Sequence, residues 1–261
     1  MRHVRAIVRL FQISIATVTI YLIYVTCLLF VKLSGRRSEP LRNRFMAFWA
    51  GTLAWILNMK VTVKGNPPRA PFFLVSNHLS YLDVVPLYKS MTCTFVAKKD
   101  VESWPVVGFM AKTMGIIFID REKKIDVGRV NQIISKSLNK DQGIVLFPEG
   151  TTSPGAEVLP FRASLLEHPA ASDLDVHYAS ITYETSNQDL PASESVCWWG
   201  EISFPSHVYL LAGNKQINCT ITFGQETVRH SDRKELADIL YKKVKDQFIP
   251  VPDQPKEPLH S

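Results

Sequence analysis

The stretch Ser76-Asn77-His78-Leu79-Ser80-Tyr81-Leu82-Asp83, entered from the bulky apolar run Phe72-Phe73-Leu74-Val75, decides how the rest of the chain is read. The apolar run is short and bounded by polar residues, the pattern of a buried strand. The mixed run Tyr81 to Tyr88 behind it reads as the start of a helix. A histidine at a strand-to-helix turn stands where α/β proteins place their chemistry. Asp83 follows five residues after His78. On one regular helix five residues turn through about 500°, so the two side chains would point roughly 140° apart. They meet only if His78 precedes the helix and Asp83 lies in its first turn. Ser80 supplies that condition, because Ser80-Tyr81-Leu82-Asp83 is a capping-box sequence with Asp83 at the third helical position. A carboxylate bonded to one imidazole nitrogen fixes the tautomer and makes the other nitrogen more basic. Such a pair can take a proton from an alcohol. The octapeptide also admits a plainer reading, in which Asp83 only caps a helix beside an ordinary turn histidine.

Composition narrows the classes. The 261 residues suffice for one large domain or two small ones. A net charge of +6 favours anionic partners: nucleic acid, phospholipid head groups or acidic carriers. Cys27, Cys93, Cys197 and Cys219 are far apart, with no Cys-x-x-Cys and no paired Cys/His spacing. Cys27 lies in an apolar run, so reduced thiols in a cytosol-facing domain are expected. There is no His-Glu-x-x-His helix, and no metal is expected. The chain has neither a Gly-x-Gly-x-x-Gly nor a Gly-Lys-Ser/Thr loop, so nothing supports a nucleotide-binding fold.

Working outward, Leu10 to Val31 is 22 residues without a charge, about 33 Å as a helix and close to the hydrocarbon thickness of a bilayer. Arg2, Arg5 and Arg9 precede it; Lys32, Arg36, Arg37, Arg42 and Arg44 follow. The excess behind the run favours a cytoplasmic C-terminal bulk; a helix that enters one leaflet and returns stays open. Phe45 to Met59 is too short to span, and its Phe45, Phe48, Trp49, Trp55 and Met59 suit the membrane interface, although a core helix would read similarly. Residues 1–60 are therefore expected to anchor the chain, with an apolar helix at 10–31 and an interfacial helix at 45–59. From residue 61 to 249, β-like runs at Phe72–Ser76, Thr94–Ala97, Ile116–Ile119, Ile144–Phe147, Val176–Tyr183 and Ile217–Phe223 alternate with helical patterns at Ser103–Thr113, Asp126–Asn139 and Asp232–Phe248. That alternation predicts an α/β domain with a mixed, largely parallel twisted sheet flanked by helices. Residues 250–261 carry four prolines and read as a disordered tail.

Two further strand ends carry chemistry. Gly115-Ile116-Ile117-Phe118-Ile119-Asp120-Arg121 ends in an arginine able to grip phosphate oxygens, with Lys123 and Lys124 behind it; a solvated charged turn is the plain alternative. Phe147-Pro148-Glu149-Gly150-Thr151-Thr152-Ser153 forms a tight loop in which Glu149 and the Gly150 and Thr151 backbone can hydrogen-bond a polyol; otherwise it is a turn with an exposed acid. Cys197-Trp198-Trp199-Gly200 with Phe204 and His207 reads either as core or as the lining of an acceptor or acyl site.

Together, His-x4-Asp, Gly-x-x-Phe-Ile-Asp-Arg and Phe-Pro-Glu-Gly-Thr behind an apolar N-terminus resemble the 1-acylglycerol-3-phosphate acyltransferase family of the glycerolipid acyltransferases, over roughly Val61 to Thr182. The resemblance implies His78 as general base with Asp83 its partner, Arg121 on the acceptor's phosphate, and Glu149 and Gly150 on its glycerol portion, with Thr151 beside them. It implies a membrane-bound O-acyltransferase of phospholipid biosynthesis, on the cytoplasmic face (the inner membrane in a bacterium). No cofactor would be bound; acyl-CoA or acyl carrier protein would be the co-substrate, a lysophospholipid the acceptor, the bilayer the partner and nucleic acid none. The sequence departs from the family pattern at Thr152, where arginine is usual, at Phe161-Arg162-Ala163-Ser164, where a glycine is lost, and at Val176–Ile181, which lacks the usual proline. These departures touch the acceptor site, so a lyso-ornithine lipid, another lysophospholipid or glycerol 3-phosphate remain as acceptors, as does an inactive lipid-binding protein. A serine hydrolase built on Ser76 or Ser80 has no Gly-x-Ser-x-Gly elbow. The oxyanion donors are not identified; backbone amides after Ser80 are candidates.

Overall fold

The structure is a computed structural model describing residues 1–104, 107–119, 134 and 137–252. Two helices open the chain, α1 (Arg2–Leu33) and α2 (Glu39–Ile56). The sheet strands are β1 (Met59–Lys64), β2 (Phe73–Ser76), β3 (Cys93–Lys98), β4 (Ile117–Ile119), β5 (Gly143–Leu146), β6 (Val176–Thr185) and β7 (Ile217–Phe223). Their spatial order is β1-β7-β6-β2-β5-β3-β4. Every neighbouring pair is parallel except β6 and β7. The expected mixed, largely parallel sheet is thus present, with β1 as a strand that the sequence reading passed over. It was hidden because Met59-Lys60-Val61-Thr62-Val63-Lys64 lies at the sheet edge and alternates too weakly to register as apolar.

Between the strands lie helices α3 (Val84–Ser90), α4 (Val107–Thr113), α5 (Glu167–Ala171), α6 (Ala192–Ser195) and α7 (Phe204–Ala212), and α8 (Arg233–Gln247) follows β7. Asp232 caps α8, its side chain accepting from the Lys234 and Glu235 amides at 2.7 and 3.1 Å. The expected helix at Asp126–Asn139 and the expected tail at 250–261 fall mostly outside the described residues; within the tail, Val251 is buried and its N–H donates to the Gly155 carbonyl at 2.8 Å.

β2 sits centrally, flanked by β5 and β6. Leu74 faces one apolar cluster with Met46, Ala50, Leu87 and Ile181; Phe73 and Val75 face a second with Ile144, Leu146, Leu236 and Val244. Burial on both faces explains why Phe72–Val75 is apolar without alternation. The helix placed at 45–59 instead runs from Glu39 to Ile56, and Met59 already belongs to β1. Its inner face is core and its outer face leaves Phe48 and Trp55 exposed, the latter by 77%. The core reading of that segment therefore holds for its inner side, and the outer side presents bare aromatic rings.

α1 also exceeds its apolar 10–31 stretch. Among the described residues it is the one helix long and apolar enough to cross a membrane. It lies against α2 and α7 rather than projecting away. Arg5 donates to the Gly213 carbonyl at 2.9 Å and Arg9 to that of Asn214, just past the C-terminal end of α7, where the helix dipole favours cations. Farther along, the Tyr24 hydroxyl donates to the Thr113 carbonyl at 3.0 Å, and the Trp49 indole to Thr17 at 3.2 Å. The outward face keeps Ile7, Phe11, Val18, Leu22 and Phe30 exposed.

Candidate active site

β6, β2, β5, β3 and β4 run in one direction, so the loops after β2 and β5 leave the same edge of the sheet side by side. That edge gathers the first and third motifs. Behind β2, Asn77 pins the turn to β6: its amide donates to the Ile181 carbonyl at 2.9 Å and its oxygen accepts from the Ile181 N–H at 2.7 Å. His78 follows, still outside the helix. The Ser80 hydroxyl accepts from the Leu82 amide at 3.3 Å and closes the capping box that starts a 3₁₀ turn at Tyr81–Asp83 and then α3. This tight turn brings His78 and Asp83 together, with Nδ1 and Oδ2 2.8 Å apart.

Asp83 is wholly buried, and its carboxylate is saturated. Oδ2 also accepts from the Leu79 and Ser80 amides at 2.8 and 3.1 Å, and Oδ1 accepts from the Tyr183 hydroxyl at 2.8 Å. A carboxylate only accepts, so the shared proton is assigned to His78 Nδ1, leaving Nε2 as an acceptor. The imidazole retains 22% of its side-chain exposure. It lies flat on the Phe147 ring, centroids 4.1 Å apart and planes inclined by 9°.

The third motif holds the histidine by its backbone. Glu149 Oε2 accepts from the His78 N–H at 3.3 Å and Oε1 from the Leu159 N–H at 3.2 Å; the Ser153 N–H donates to the His78 carbonyl at 3.2 Å. Gly150 follows at φ +74°, the left-handed turn that lets the loop fold back. Glu149 is 2% exposed, and burial raises its pKa to about 8 against the opposing pull of the two amides. Its carboxylate lies behind the histidine turn, while Gly150 is half-buried and Thr151 exposed at the loop's outer side. Arg121 lies outside the described residues. The oxyanion candidates are narrowed: the amides of Leu79, Ser80, Leu82 and Asp83 are bonded to Asp83 or Ser80.

The aromatic segment packs on the same turn. The Trp198 N–H donates to the Leu79 carbonyl at 2.8 Å. His207, fully buried, donates from Nε2 to the Cys197 carbonyl at 3.0 Å, so its Nδ1 accepts from the Tyr81 hydroxyl at 3.0 Å. Burial lowers the His207 pKa and keeps it neutral. Tyr81, Trp198 and Phe204 meet edge to face. Phe147, Ser153 and Tyr183 were not singled out from sequence. Phe147 was visible as the first residue of the third motif, but its stacking on His78 was not.

Residues 58–184 match the family model Acyltransferase. Residues 58–184 are an acyltransferase domain of the glycerolipid family. The matched residues run from just before β1 to the penultimate residue of β6 and contain His78, Asp83 and the third motif. The acyltransferase is 32% identical over 152 residues to the lyso-ornithine lipid O-acyltransferase of Pseudomonas aeruginosa, covering 58% of each chain. It is 27% identical over 202 residues to a 1-acyl-sn-glycerol-3-phosphate acyltransferase of Neisseria gonorrhoeae, covering 76% of this chain and 78% of that one. Its fold is that of the crystal structure of the 1-acyl-sn-glycerophosphate (LPA) acyltransferase PlsC from Thermotoga maritima, with a TM-score of 0.66 at 18% identity, covering 94% and 97% of the two chains.

Proposed function

We propose that this acyltransferase moves a fatty acyl group from a CoA or acyl-carrier-protein thioester to the free hydroxyl of 1-acyl-glycerol-3-phosphate, giving phosphatidic acid. The observation that carries acyl transfer to a hydroxyl is the buried Asp83 carboxylate on His78 Nδ1, which leaves Nε2 unprotonated at a partly open edge. The acceptor oxygen attacks the thioester carbonyl as its proton passes to Nε2. The tetrahedral intermediate collapses with cleavage of the C–S bond, and the departing thiolate regains the proton from Nε2. General-base help of this kind is worth roughly 10²- to 10⁴-fold. Ser76 and Ser80 are fully buried and turned to their neighbours, which favours direct transfer over a serine acyl-enzyme. Arg121 would meet the acceptor's phosphate, and Gly150 and Thr151 its glycerol portion. The outward apolar face of α1 and α2 would lie in the bilayer, with the domain on the cytoplasmic side.

A second acceptor has its own support: a lyso-ornithine lipid O-acyltransferase is among the similar proteins, and Thr152 stands where the lysophosphatidic family usually has arginine. Membranes carrying the protein, given labelled acyl-CoA or acyl carrier protein and a panel of lysolipids, decide between them. Labelled phosphatidic acid formed by the native protein and not by His78→Ala is the expected result. Acylation of lyso-ornithine lipid alone moves the acceptor and keeps the chemistry. Full activity of His78→Ala overturns the mechanism.

A further inference from the structure

We infer that Tyr183 is a positioning residue of the His78–Asp83 pair: its hydroxyl holds the Asp83 carboxylate so that the other oxygen faces the imidazole. This rests on the His78 general-base reading above. Tyr183 comes from β6, a strand about 100 residues beyond the His-x4-Asp motif, and none of the motifs includes it. Its hydroxyl is 2.8 Å from Asp83 Oδ1, and both residues have no exposed surface. The division of donors is uneven. Oδ2 receives His78 Nδ1, Leu79 N and Ser80 N, all from the same turn; for Oδ1 the donor is Tyr183 alone among the described residues. Without that hydroxyl Oδ1 loses the one donor the described residues give it, and the carboxylate is free to rotate away from the three-donor arrangement.

The strand register extends the line one residue further. Tyr183 pairs with Cys219 across the antiparallel β6–β7 ladder, and the thiol lies against the phenol. Phenol, carboxylate and imidazole thus form one hydrogen-bonded row ending at the partly exposed imidazole, with Cys219 beside the phenol. The titratable groups facing Asp83 and Tyr183 from surrounding elements are His78 and Glu149 in the two edge loops, Cys197 after α6, and Cys219 on β7. Burial pushes both thiols far up, so they stay neutral at working pH. Glu149 titrates in native and variant proteins alike and cancels in their comparison.

Removing a donor from a carboxylate strengthens the hold of the pair on its proton. In Tyr183→Phe the protonated, inactive pair therefore persists to higher pH. The acidic limb of the kcat/KM profile should move up by roughly one unit, the shift worth one charge-assisted hydrogen bond. Activity falls about tenfold on that limb and less than about threefold on the alkaline plateau, with the KM for the lysolipid unchanged. A uniform loss at all pH values, or an unshifted limb, overturns the positioning role. A double-mutant cycle guards against loss of folding. On an Asp83→Asn background no charged carboxylate is stranded, so adding Tyr183→Phe should change the residual rate by less than about twofold; multiplicative losses there also overturn the inference. His78→Ala, measured in parallel, separates the two failures. If His78→Ala is inactive and Tyr183→Phe leaves the limb in place, only the role of Tyr183 falls. If His78→Ala retains activity, the general-base reading itself falls.

Discussion

Asp83→Asn separates the orienting effect of this residue from its charge. Asparagine offers one acceptor oxygen and one amide. Three N–H donors converge on the Oδ2 position, from His78, Leu79 and Ser80, so the oxygen must lie there and the amide must face Tyr183. The phenol can rotate its proton away and accept from the new amide. The imidazole then keeps its tautomer and its direction and loses only the negative charge beside it. Two unit charges about 4 Å apart at an effective dielectric of 20 interact by about 4 kcal/mol. That energy stabilises the imidazolium that forms as the acceptor loses its proton. At 1.36 kcal/mol per decade it corresponds to roughly a 10³-fold loss in kcat. KM should be unchanged, because the buried side chain does not reach substrate. The assay is initial-rate transfer of labelled acyl groups to the preferred lysolipid, with circular dichroism to establish folding. A folded Asp83→Asn enzyme within tenfold of the native kcat would refute the claim that the carboxylate's charge assists His78.

Three other outcomes follow from the structure. Glu149→Gln leaves one of the His78 and Leu159 amides facing an amide, so stability should fall by about 1–3 kcal/mol and kcat should drop more than acceptor affinity; a large rise in acceptor KM at constant kcat would instead place Glu149 on the substrate. The Glu149 pKa is raised on folding, so its contribution is fully present below about 4.5 and is lost as pH climbs towards about 8. Thermal melts across that window should slope downward in the native protein and flatten in Glu149→Gln. Trp55→Glu, on the exposed side of α2, should lower the fraction that sediments with anionic phospholipid vesicles while leaving the fold unchanged; unaltered sedimentation would show that this face does not meet lipid.

Much of the catalytic turn was legible because its information is local. A four-residue apolar strand, a serine cap and an aspartate at the third helical position determine the His78–Asp83 distance through backbone geometry alone. The strand pattern was legible too where strands are buried on both faces, as in β2 and β5, because apolar side chains then run without interruption. The edge strand β1 was missed for the converse reason. Glu149 was readable as part of a tight loop, but its partner was not. A carboxylate in sequence carries no mark of whether it faces solvent or the amide of a residue 71 positions away.

Sequence by itself therefore determined the acyltransferase motifs, the apolar first helix and the sense of the sheet. Tertiary structure alone decided three things. Parallel β2 and β5 set the two loops side by side, so that Glu149 and Ser153 grip both polar groups of the His78 peptide. Arg5 and Arg9, ahead of the apolar run, meet carbonyls past α7, which ties α1 to the domain. Alternation along β6 puts Ala179, Ile181 and Tyr183 on one face, but only the register of β6 against β2 brings the last of them to Asp83. The physical reason is the same in each case. Caps and turns are short-range and are written in neighbouring residues, whereas a hydrogen bond between strands depends on which strands pair, and that is settled by burial over the whole domain.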